Sequence, residues 1–150
     1  MNRLKTGLTL ARWVAALPLA AGLLLTGAEV AHSEALTLRP GFSEGTSVSG
    51  QSGGAVASSD CGFISRQPNH TLNVAQGSIP YMRVYVESSG DTTLLIEGPD
   101  GRYCSDNYNG KNPQLTGPWP VGTYRVYVGD HQGNSSGNPY RLYFTESRQR

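Results

Sequence analysis

Helical periodicity is missing from this chain: no segment sustains a run of apolar residues at helical spacing. Long apolar stretches are missing as well. The one run free of charge, Trp13 to Leu25, falls short of the ~20 residues a bilayer span needs, and no second run follows it. Cysteine is scarce, with only Cys61 and Cys104, and neither has the histidine spacing of a zinc site. No cysteine follows the apolar run at once, which argues against a lipid-anchored lipoprotein. Beyond residue 35 the chain also lacks net charge, with nine basic and nine acidic residues. It has no basic block or stripe to track a phosphate backbone, so nucleic acid is not an expected partner.

What is present at the start reads as export. Arg3, Lys5 and Arg12 precede the short apolar run, and small residues follow it, the three-part pattern of a secretory signal peptide. Cleavage candidates lie after Ala28, Ser33 and Ala35, and Ala35 is preferred, giving a leader over 1–35. The expected location is secreted or periplasmic, with no membrane span in the mature chain. About 115 residues then remain, enough for one domain with a core and too few for two. In an exported chain, two cysteines most simply form one disulfide, Cys61–Cys104.

Residues 36–59 are rich in Gly and Ser and read as an irregular arm. From Asp60 to Arg150 short alternating runs are separated by Gly, Pro, Asn and Asp, the pattern of an all-β sandwich or barrel. Strands are expected near residues 61–65, 70–75, 80–87, 92–97, 121–129 and 139–145, with shorter pieces near 102–104 and 114–116. Strand side chains alternate between faces, which makes Met82, Val84, Val86, Leu94, Ile96, Tyr124, Val126, Val128, Tyr140, Leu142 and Phe144 core candidates. Trp119, between two prolines, is expected to cap the core edge from a turn.

The opposite faces carry a repeated triplet: Arg83-Val84-Tyr85, Arg125-Val126-Tyr127 and Arg141-Leu142-Tyr143. On neighbouring strands these would form one Arg/Tyr patch outside the core, the last two strands pairing as a hairpin. Such a patch serves either as cross-strand support or as a ligand face, because Tyr and Arg are enriched at interface hot spots.

Motifs for catalysis are thin. Gly41-Phe42-Ser43-Glu44-Gly45 matches a nucleophile-elbow string without the required strand and helix. Gly50-Gln51-Ser52-Gly53-Gly54 resembles a serine-protease nucleophile segment, but only His70 and His131 remain after the leader to act as base, both in polar, turn-like contexts. Asp100, Asp106, Asn107 and Asn109 are candidate calcium ligands at turns, although residues 105–110 lack the full calcium-loop spacing. No other cofactor is expected. Asn69-His70-Thr71 and Asn134-Ser135-Ser136 are glycosylation strings.

The stretch from Asp91 to Phe144 resembles the bacterial pre-peptidase C-terminal (PPC) domain family. The matching pieces are Thr93–Ile96 before Gly98-Pro99-Asp100-Gly101, an Asp106-bearing turn, Gly122–Val128 and Tyr140–Leu142. With Ser52–Gly54, Cys61–Ser65 and Pro68–Leu72, the chain also resembles small secreted cyanobacterial proteins. The resemblance implies a jelly-roll-like antiparallel β-sandwich without catalytic residues, from a group whose relatives bind calcium and protein fibres. The cysteine pair departs from that family's general pattern. The function expected is therefore a secreted accessory module that binds an extracellular protein or polysaccharide. A small serine hydrolase using Ser52 and a structural envelope component are the alternatives.

Overall fold

The computed structural model describes residues 34–107, 110, 112–133 and 137–148. The expected leader up to residue 33 lies outside them, as do Asn109 and Asn134. The described residues form an all-β sandwich of eleven strands, β1 (Glu34–Leu38), β2 (Thr46–Gln51), β3 (Val56–Ala57), β4 (Phe63–Ile64), β5 (His70–Val74), β6 (Ile79–Ser88), β7 (Thr92–Gly98), β8 (Gly101–Ser105), β9 (Gln114–Trp119), β10 (Gly122–Asp130) and β11 (Pro139–Thr145). Among the described residues no helix is long and apolar enough to cross a membrane.

Two sheets face each other. The first has four strands in the order β2-β11-β6-β9, all antiparallel. The second has seven: β10 pairs with β5 and β4 along one side and with β7 along the other, β8 extends beyond β7, and β3 extends beyond β4. One pairing departs from the antiparallel expectation, because β1 runs parallel to β5 along the sheet's edge. The eleven core candidates read from alternation are all buried between the sheets, joined by Leu38, Val48, Leu72, Val74, Ile79 and Trp119. Trp119 ends β9 instead of sitting in a turn, and its indole N–H donates to the Met82 carbonyl at 3.1 Å.

Two expectations need correction. The Gly/Ser-rich segment is not irregular throughout, since β1, β2 and β3 all lie within or at the border of residues 36–59. In β2 only Val48 is buried; the strand is held by its ladder to β11, which the backbone makes whatever the side chains. The expected hairpin between the last two long strands is also not formed. The segment after Asp130 carries the chain from one sheet to the other, so β10 and β11 belong to different sheets.

The position of β1 bears on export. Glu34 and Ala35 pair with His70 and Thr71, so cleavage after Ala35 would remove the first two pairs of that strand. Cleavage after Ala28 or Ser33 would leave it whole. Amino-terminal sequencing of exported protein is expected to begin at Glu29 or Glu34; a start at Leu36 would show those pairs to be dispensable.

Candidate functional site

The repeated triplets separate between the sheets. Arg83-Tyr85 and Arg141-Tyr143 lie side by side on the outer face of the four-stranded sheet, where Tyr143 opposes Tyr85 and Arg141 opposes Glu87. Arg125 and Tyr127 lie on β10 in the other sheet, so a single six-residue patch does not exist. Arg125 pairs with Glu97 at 2.9 Å, and Tyr127 is buried against Cys61 and Leu95.

The remaining two triplets form a built aromatic ladder. The Tyr85 and Tyr143 rings stack with centroids 5.0 Å apart and planes 12° from parallel. The Arg83 guanidinium sits 5.0 Å from the Tyr85 ring centre, within cation–π range. Further along the same sheet, Arg148 lies 4.1 Å from the centre of the Tyr81 ring. Neighbouring strands add Ser47 opposite Tyr143 and Gln114 opposite Tyr85, while Glu44 accepts a hydrogen bond from Thr145 at one end. The pKa of Tyr85 is raised, first by burial and then by the nearby Glu87 carboxylate, with Arg83 acting in the opposite direction. The hydroxyl therefore stays protonated at neutral pH and can donate a hydrogen bond.

A second group of polar residues is brought together only by the fold. Ser52 is buried; its hydroxyl donates to Asp130 Oδ1 at 2.6 Å and accepts the Asn138 N–H at 2.9 Å. Asn138 also donates its side-chain amide to the same carboxylate oxygen at 3.2 Å. The Asn69 side chain accepts the Val128 N–H at 2.9 Å and donates to the Gln51 carbonyl at 3.1 Å, so its amide is engaged within the fold. Gly53 takes φ of 80° and bonds Val128 O at 3.0 Å, and a Cβ at Gly54 would strike the Ile64 carbonyl. This knot ties the end of β2 to β10 and β11 and explains why serine and two glycines follow one another there.

Neither hydrogen bond of Ser52 goes to an imidazole. His70, expected in a turn-like setting, is buried at the start of β5, with Nε2 2.6 Å from the Tyr140 hydroxyl. His131 Nδ1 lies 3.0 Å from Asp106. Of the calcium candidates, Asp100 sits in the β7–β8 turn and Asp106 and Asn107 follow β8. Among the described residues no group of three or more His, Cys, Asp or Glu could hold a metal.

Cys61 and Cys104 are disulfide-bonded. The bridge ties the loop before β4 to β8 and, with Leu95, Ile64 and Tyr127, forms a second small apolar cluster on the outer side of the seven-stranded sheet.

A protein of Synechococcus elongatus, described only as uncharacterized, is 47% identical over 98 residues, covering 63% of this chain and 71% of the relative. The chain belongs to its family. No family model matches the chain. Among solved structures, PliG of Aeromonas hydrophila, a periplasmic inhibitor of g-type lysozyme, overlaps it with 17% identity and a TM-score of 0.40, over 76% of this chain and 98% of PliG.

Proposed function

We propose that the chain is an exported, non-catalytic module that binds an extracellular protein through the outer face of its four-stranded sheet. The observation that carries this reading is the stacked Tyr85–Tyr143 pair, flanked by Arg83 and Arg141 on a regular sheet. Tyrosine and arginine are the residue types that dominate binding energy at protein interfaces. A polysaccharide fits less well, because Tyr85 already has Tyr143 and the Arg83 guanidinium against its ring. A sugar would need a bare aromatic face.

Export is supported by the charged, apolar, small-residue order of the leader and by the disulfide, which persists in oxidising compartments. The non-catalytic reading is supported by the hydrogen bonds that engage Ser52 within the fold. Kinship with PPC domains is part of the proposal, and the two-sheet sandwich and the Gly98–Gly101 turn favour it.

The experiment is capture from the medium in which the protein is exported, with the native chain and the Tyr85→Ala/Tyr143→Ala double variant compared side by side. The native chain is expected to retain a protein that the variant loses, while the variant's stability falls by only about 1 kcal/mol, the scale of one cross-strand aromatic pair. Equal capture by both chains, with a lower melting temperature in the variant, would reduce the ladder to sheet support.

A further inference from the structure

At the edge of the sandwich, between the β7–β8 turn and β9, lies an open cleft of about 180 Å³. Its walls are Trp119, Tyr124, Ile96 and Leu115, with Tyr103 and Asp100 also lining it. The Trp119 and Tyr124 rings pack with centroids 4.9 Å apart. The space is left open at Gly117, which follows Leu115 and precedes Trp119 on the inward side of β9; a Cβ built there meets nothing within 4 Å. Tyr103 is 47% exposed, an unusual position for a large ring and one that leaves it accessible to a ligand.

The charge of this cleft has one sign. Among the described residues Asp100 is the only acidic or basic one lining it, and it makes no ion pair there. Its effect reaches the interior: the pKa of Tyr124 is pushed up to about 12, chiefly by burial and then by the negative charge of Asp100. Aromatic rings and a carboxylate both attract a cation, and apolar walls suit a methylene chain. A cation on an aliphatic stem meets all three requirements.

We propose that this cleft receives a lysine side chain of a protein partner, its stem against Trp119 and Leu115 and its ammonium beside the Asp100 carboxylate. The proposal goes beyond the tyrosine-ladder reading and uses none of its four residues, so either can fail while the other stands.

The chain has two tryptophans, Trp13 and Trp119, so a full-length Trp13→Phe protein reports on the cleft through Trp119 fluorescence alone. Titration with Nα-acetyl-lysine amide is expected to give a saturable change. The neutral Nα-acetyl-norleucine amide should bind about tenfold more weakly, since it keeps the stem and lacks the charge. Asp100→Asn in the same background should weaken the lysine probe by a similar factor. Equal binding of the two probes, undiminished lysine binding by a folded Asp100→Asn chain, or no saturable change would each overturn the proposal. If the variant failed to fold, the two-probe comparison on the native residue would still decide.

Discussion

Replacing both Cys61 and Cys104 with serine is expected to destabilise the domain by about 4 kcal/mol, the chain-entropy value for a loop of this length. The cysteines are 43 residues apart, and the loop they close includes β4, β5, β6 and β7. The location adds to the effect. The short β3–β4 hairpin joins the seven-stranded sheet through one bridging pair, Phe63 with Asp130, and the nearby Cys61 carbonyl accepts a hydrogen bond from Thr93 at 2.8 Å. Arg102 contributes an ion pair to Asp60 at 2.8 Å, but both partners are substantially exposed, so that pair adds little. Without the disulfide, the segment covering Leu95 and Tyr127 has few other attachments. Hydrogen exchange in residues 55–65 should therefore accelerate more than in β6 or β11, alongside a lower urea midpoint. An unchanged midpoint with unchanged exchange would show that packing alone holds the segment.

That covered outer face shows where local pattern stops being informative. Alternation in Met82-Arg83-Val84-Tyr85-Val86 marks one buried and one open face, and the structure has that arrangement. Leu94-Leu95-Ile96 does not alternate; all three are buried, which is how a strand covered on both faces reads. This run was the available signal that the neighbouring strand's Tyr127 would be enclosed. The triplet Arg125-Val126-Tyr127 matches Arg83-Val84-Tyr85 in local sequence, yet the two occupy different sheets. Sheet membership is decided by long-range pairing, and the segment after Asp130 can either turn back as a hairpin or cross the sandwich.

The Ser52 knot was hidden for a related reason. Ser52, Asn69, Asp130 and Asn138 are separated in the chain, and each belongs to a residue type common in turns. Only the folded arrangement turns them into one hydrogen-bonded group. The strand β2 was similarly masked by its composition: TSVSGQ places a single apolar residue in the core, and the rest of its stability comes from backbone pairing with β11.

Ser52→Ala is expected to cost about 2–3 kcal/mol, because hydrogen bonds to charged groups are the stronger kind and the change also leaves the Asn138 N–H without its acceptor. Asp130 would lose the 2.6 Å bond from the hydroxyl, and the Asn138 N–H would lose its acceptor. Alanine fits the space but supplies neither group. Ser52→Thr is a useful companion, because it keeps the hydroxyl while adding a methyl group to a position only 6% exposed. The measurement is denaturant unfolding of all three chains together with an ester-hydrolysis assay. A structural serine predicts lower stability in the alanine variant and no serine-dependent hydrolysis in any chain. A nucleophilic serine predicts the reverse: hydrolysis by the native chain that disappears in Ser52→Ala at nearly unchanged stability. The hydroxyl's two bonds, both directed into the fold and neither to histidine, favour the first outcome.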